Sequence, residues 1–138
     1  MASARRLLKT LKTSHSVPRV TVLGAGYWGQ NLIRNFYDLQ ALAAICDCNP
    51  ARFRNFRNKY QSCRFTTSYR EILSDPTLHA VVIATPAENH DVIVEETIVA
   101  GKDVFVEKPL SLSVERANAL VKLARDQGVM MYRGRPSW

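Results

Sequence analysis

The sequence predicts an α/β fold: one open, mostly parallel, doubly wound sheet with helices on both faces. Three observations carry the prediction. From Arg19 onward, short β-branched apolar runs alternate with amphipathic stretches, the pattern of parallel strands joined by crossover helices. The segment Gly24-Ala25-Gly26-Tyr27-Trp28-Gly29 stands where the first apolar run gives way to the first amphipathic stretch. Residues 80–84, AVVIA, are apolar at every position, as a central strand covered on both faces must be.

In chain order, residues 20–23 form a first strand ending at Gly24, and residues 28–36 form a helix with Trp28, Leu32, Ile33 and Phe36 as its buried stripe. Residues 42–46 are the second strand. Asn49 then caps, and Pro50 opens, a helix carrying Phe53, Phe56 and Tyr60. A short third strand at residues 64–66 leads into the helix SYREIL, which Asp75-Pro76 ends because proline disfavours helical geometry in the residue before it. The fourth strand, 80–84, stops at Thr85-Pro86. A helix over 90–100 stops at Gly101, and a fifth strand at 104–106 closes at Glu107-Lys108-Pro109. Ser113 caps a last helix in which Val114, Ala117, Val121 and Ala124 share a face, and Gly128 ends it before a sixth strand at 129–132. The crossovers between parallel strands are expected to be right-handed.

Composition narrows the class. With 138 residues the chain suits one domain, 46% hydrophobic and 22% charged residues are ordinary for a globular protein, and no apolar run approaches the ~20 residues of a bilayer span. The net charge of +7 sits mostly at the ends: Arg5, Arg6, Lys9 and Lys12 without an acid in residues 1–18, and Arg133 and Arg135 in residues 133–138. The expected organisation is a basic, disordered tail at 1–18, a folded body at 19–132 and an atypical end at 133–138. The tail loosely resembles an organelle transit peptide, and Arg5-Arg6 lacks the following apolar run that export needs. In the body, Arg52, Arg54, Arg57 and Lys59 alternate with Phe53, Phe56 and Tyr60 as on a solvated helix face, so no nucleic-acid partner and no membrane is expected.

Three cysteines, Cys46, Cys48 and Cys63, cannot all pair within one chain. Without a secretory segment, reduced thiols and a cytoplasmic location are expected. A zinc reading of the three lacks a fourth ligand, and no metal site is assigned.

The chemistry concentrates at the glycine segment. A G-x-G-x-x-G between strand and helix gives a tight turn at Gly24, close approach of an anion at Gly26, and close helix packing at Gly29, with the helix N-terminus attracting a pyrophosphate. An acid, Asp47, ends the second strand 18 residues after Gly29. A carboxylate there accepts both ribose hydroxyls of an NAD adenosine and repels the extra phosphate of NADP. Asp47 therefore favours NAD, and Arg52 keeps NADP as the lesser alternative. The competing reading of Asp47 is a turn acid beside Asn49-Pro50.

Thr85-Pro86 and Glu107-Lys108-Pro109 fall at the same carboxyl edge of the sheet, where ligands bind. Lys108 is the candidate catalytic group, transferring a proton or orienting substrate, with Glu107 holding it. Alone, the pair also reads as a surface ion pair. His90 reads either as a neutral imidazole lining the nicotinamide pocket or as a polar residue starting a helix.

The residues GAGYWGQN, CDCNPAR, ATPAENH and VFVEKPLSLSVERAN, in that order, resemble the N-terminal domain of the glucose-fructose oxidoreductase, inositol dehydrogenase and rhizopine catabolism (Gfo/Idh/MocA) family. The Tyr-Trp in the glycine turn, with residues 31–36, is similar to the nucleotide-sugar 3-dehydrogenase branch. The resemblance implies a Rossmann-type domain in which Gly24, Gly26, Tyr27, Trp28 and Gly29 cradle the pyrophosphate, Asp47 holds the adenosine ribose, and Thr85, Pro86 and His90 flank the nicotinamide. Glu107 and Lys108 complete the pocket, with Lys108 assisting proton transfer while hydride passes between a sugar carbon and the cofactor.

Family members continue from the sixth strand through a Gly-His-type turn into a large α/β substrate domain. This chain reads Tyr-Arg-Gly-Arg-Pro-Ser-Trp after Met131. The expectation is a truncated oxidoreductase whose sugar or nucleotide-sugar substrate is met in a full-length context, beside a separately encoded substrate domain, or in a homo-oligomer. The alternative is a non-catalytic dinucleotide-binding or interaction module.

Overall fold

In the computed structural model, which describes residues 17–134, six strands form one sheet. The elements are β1 (Val20–Leu23), α1 (Tyr27–Asp38), β2 (Leu42–Cys46), β3 (Arg64–Thr66), α2 (Tyr69–Ser74), β4 (Ala80–Ile83), α3 (His90–Val99), β5 (Asp103–Glu107), α4 (Val114–Gln127) and β6 (Met131–Gly134). The spatial order is β3-β2-β1-β4-β5-β6, and every neighbouring pair is parallel. The order reverses between β1 and β4, which opens a crevice at the carboxyl ends of those strands. The expected basic tail and most of the expected atypical end lie outside the described residues.

Period-two alternation divides the strand side chains between two cores. Val20, Val22, Ile45, Ala80, Val82 and Phe105 face Leu32, Ile33 and Phe36 of α1, together with Phe53, Phe56 and Tyr60. Leu23, Ala44, Cys46, Val81, Ile83, Val104 and Val106 face Ile72, Ile93, Val94, Ile98, Leu120 and Ala124 of the other helices. A sheet covered on both faces needs the continuous apolar runs seen in β4 and β5.

Trp28, expected in the buried stripe of α1, is exposed, and the segment after Pro50 and the sixth strand depart furthest from expectation. The segment opened by Asn49-Pro50 is a 3-10 helix over Pro50–Asn55, capped by Asn49 Oδ1 accepting from the Ala51 amide at 3.1 Å, and it continues as turns rather than as an α-helix. Three residues per turn bring Phe53 and Phe56 to one face, and both are buried. The sixth strand begins and ends two residues later than expected. Gly128 ends α4 at φ +68, and the Val129 amide is spent on Ala124 O at 3.1 Å, so the cap consumes Val129 and pairing runs on to Arg133 and Gly134.

Candidate functional site

Turns after β1, β2 and β4 meet at the carboxyl edge of the sheet, with the turn after β5 beside them. Gly24, at φ +107, makes the first turn, and a Cβ there would lie 2.6 Å from Ala84 O. The turn keeps register with both neighbours: the Gly24 amide donates to Cys46 O at 2.7 Å and the Ala84 amide to Leu23 O at 2.8 Å. At Gly29 a Cβ would lie 1.8 Å from Gly24 O, so α1 is pressed directly onto the turn. The N-cap of α1 is Gly26, no side chain caps the helix, and its first turn carries no acid. Its amide end therefore keeps the positive end of the helix dipole available to an anion.

Asp47 is 7% exposed and acts in two directions. Oδ2 accepts from the Ala25 amide at 2.7 Å, and Oδ1 accepts from the Asn49 amide at 2.8 Å. It is a turn acid, and it is also held against the glycine turn. Arg52 Nη1 stands 3.6 Å from Asp47 Oδ2, and the same guanidinium faces Gly26, where a Cβ would come within 2.6 Å of it.

These turns enclose a cleft of about 460 Å³. Of the expected residues, Gly24, Asp47, Thr85 and Pro86 line it. Gly26, Tyr27, Trp28 and Gly29 lie beside it on the turn and α1, with Tyr27 and Trp28 exposed and their rings edge-to-face at 5.3 Å. Glu107 and His90 are buried and do not line the cleft, and Lys108 is exposed. Sequence reasoning missed Thr67, Tyr69 and Asn89, which also line it. Their signal was positional: Thr67 and Tyr69 follow β3 at the same edge, and Asn89 falls between Pro86 and His90.

Among the described residues, three buried side-chain oxygens lack a hydrogen-bond partner, and two of them, Thr85 Oγ1 and Glu107 Oε1, lie at this edge. Burial raises the Glu107 carboxyl and the charge of His90 partly offsets this. Burial, with Asp47 adding, pushes the Cys46 thiol up to about 12, which makes it unreactive beside the cleft. His90 starts α3 with Nδ1 2.6 Å from Pro109 O and Nε2 2.6 Å from Thr85 O. No three His, Cys, Asp or Glu side chains among the described residues gather to hold a metal ion. No helix among them is long and apolar enough to cross a membrane.

A glycine turn backed by an uncapped helix, with a carboxylate at the end of β2 beside it, stands where the strand order reverses, the place at which such sheets bind dinucleotides. The fold and the site define a dinucleotide-binding domain of the Rossmann type. The chain belongs to the Gfo/Idh/MocA oxidoreductase family, whose NAD-binding Rossmann-fold model matches residues 18–134.

The chain is 30% identical over 120 residues to scyllo-inositol 2-dehydrogenase (NAD(+)) of Bacillus subtilis, covering 84% of this chain and 35% of that protein. An uncharacterised oxidoreductase, YrbE, of the same organism is 29% identical over 115 residues, covering 82% and 34%. Among solved structures, GenD2 from gentamicin A biosynthesis, in complex with NAD, superposes with a TM-score of 0.79 at 34% identity, covering 88% of this chain and 36% of that one. The chain thus spans about a third of the length of these relatives.

Proposed function

We propose that this chain is the NAD-holding part of an oxidoreductase that passes hydride between a carbon of a sugar or nucleotide-sugar and the nicotinamide. Substrate contacts come from beyond the third of the relatives' length that this chain spans. The observation that carries the reading is the bond from the Ala25 amide to Asp47 Oδ2, which joins the anion-binding turn to the ribose-binding acid. Similarity to an inositol dehydrogenase supports a polyhydroxylated ring as substrate.

On this reading Gly24, Gly26, Tyr27, Trp28 and Gly29 hold the pyrophosphate with the amides of α1, and Asp47 takes the adenosine ribose and favours NAD over NADP. Thr85, Pro86 and Glu107 flank the nicotinamide, with His90 packed beneath them. Lys108, exposed at the end of β5, handles the proton at the substrate oxygen. NAD, when bound, supplies the hydride donor or acceptor. The working domain is 19–132 with a separate basic segment at 1–18, and the setting is the reducing cytoplasm, in keeping with three unpaired cysteines.

Titration with NADH and then NADPH, following nicotinamide emission and quenching of Trp28 against a Trp138 background, tests this. Saturable binding that favours NADH is expected. A folded chain that binds neither overturns the reading.

A second reading rests on Leu112 and Val114, 73% and 77% exposed, which follow the Lys108-Pro109 turn directly. Two exposed apolar side chains beside the site favour an interaction module that docks another domain or a second copy here. Mass measured across a concentration series would rise with concentration if copies associate and stay constant if they do not.

A further inference from the structure

His90 is 2% exposed, and both of its ring nitrogens face carbonyl oxygens: Nδ1 toward Pro109 O and Nε2 toward Thr85 O, each at 2.6 Å. A carbonyl oxygen only accepts hydrogen bonds. A neutral imidazole has one N–H and one lone pair, so either neutral tautomer would set a lone pair against one of these oxygens at hydrogen-bond distance. Only the imidazolium, with two N–H donors, satisfies both. Of the two readings the sequence offered, His90 starts α3 and does not line the cleft.

We propose that His90 is a positioning residue: as an imidazolium it ties the turn after β4 to the turn after β5, one N–H to each, and so sets the spacing of Thr85-Pro86 and Lys108-Pro109 around the nicotinamide. The proposal rests on the NAD reading above. His90 itself does not touch the cofactor in this scheme; its effect passes through the backbone of Thr85 and Pro109.

A buried cation needs hydrogen bonds and a counter-charge. The two carbonyls supply the first. Glu107, 7% exposed, is the buried acid nearest in the chain, ending β5 two residues before Pro109, and His90 lowers its carboxyl against the rise that burial imposes. The other charged groups nearby are directed elsewhere or lie outside. Asp91 and Glu95 of α3 are taken by Arg116 of α4, at 3.6 Å and 2.8 Å, Glu88 is exposed in the turn before α3, and Lys108 is exposed between Glu107 and Pro109.

The test begins with the ring nitrogen resonances of His90 in the labelled full chain at neutral pH without cofactor, assigned with His90→Gln. Both nitrogens are expected at the protonated, imidazolium position. A neutral-tautomer pattern, with one bare nitrogen, overturns the proposal. His90→Gln has one donor end and one acceptor end, so it meets only one carbonyl. With circular dichroism unchanged, it is expected to weaken NADH binding about tenfold, the loop-ordering cost now being met on binding.

Unchanged affinity in the folded variant overturns the positioning role. Should the variant not fold, the unmodified chain decides: NADH affinity is expected to fall as the ring resonances report loss of a proton, and affinity that ignores that titration overturns the role. A doubly protonated ring in a chain that binds no NADH overturns the cofactor reading while leaving the tie between the turns in place.

Discussion

Asp47 Oδ2 accepts a hydrogen bond from the Ala25 amide at 2.7 Å across 22 residues of sequence, tying the carboxyl end of β2 to the glycine turn after β1. The same carboxylate accepts from Asn49 at 2.8 Å through Oδ1 and so shapes the turn that carries Arg52. One buried side chain therefore holds both walls of this end of the cleft, and on the proposed reading its substitution is expected to affect folding and cofactor choice together.

Replacing Asp47 with Asn leaves one acceptor where two amides need one each, and it removes the charge. The expected loss is about 1.5–3 kcal/mol of stability, the range for hydrogen bonds to a charged group, read as a lower urea midpoint with unchanged slope. NADH binding should weaken and its advantage over NADPH should narrow. An unchanged preference would remove Asp47 from the ribose site.

Gly29→Ala and Gly101→Ala separate a cofactor-site glycine from a structural one. At Gly29 the new methyl meets Gly24 O at 1.8 Å, so α1 must move off the turn, costing about 1–3 kcal/mol and NADH affinity with it. Gly101 has φ +78 and open space around it, so alanine there costs about 1–2 kcal/mol of backbone strain with NADH affinity unchanged. Thermal melts and NADH titrations on both variants check the contrast.

Lys102 is buried at the start of β5, the amino edge of the sheet, where Nζ donates to Asp75 O at 2.6 Å and Leu78 O at 2.7 Å. Lys102→Met would leave two carbonyls unsatisfied and should cost about 1–3 kcal/mol. Because that edge is opposite the cleft, NADH affinity in the folded variant should match the unmodified chain. A weakened affinity would show coupling between the two edges.

Cys46 makes stability fall in alkali. Its folded value is about 12 against an ordinary 9.0, so the folded chain retains a proton that the unfolded chain releases first. The contribution is complete below pH 9 and lost between 9 and 12; Cys63, also raised by burial, acts in the same direction. Urea midpoints across this range should decline, and less steeply in Cys46→Ala. At neutral pH a maleimide should label exposed Cys48 and spare the other two.

Much of the fold was legible in the chain because local chemistry specifies it. Apolar runs marked six strands, Ser113 and Gly128 marked the ends of α4, and glycine spacing with Asp47 located the cofactor end of the sheet. Less legible was the segment after Pro50, because Phe53, Phe56 and Tyr60 satisfy more than one helical period and only their common burial against α1 and the sheet selects among them. Thr67, Tyr69 and Asn89 were missed as site residues, since only their position at the carboxyl edge, and nothing in their residue type, distinguishes a cleft-lining side chain from an ordinary one.

By itself the sequence determined the order of the elements, the type of all but the segment after Pro50, the parallel sheet and the family, since strands, caps and motifs are each written in short runs of residues. Tertiary structure alone decided what His90, Asp47 and Arg52 do. The contacts of the His90 ring nitrogens with Thr85 O and Pro109 O, and the hydrogen bond from Ala25 to Asp47, join segments 5 to 22 residues apart. Whether a polar side chain turns to a ligand or to the backbone depends on which carbonyls and amides the packed sheet edge leaves within reach, and that is settled only once the turns have come together.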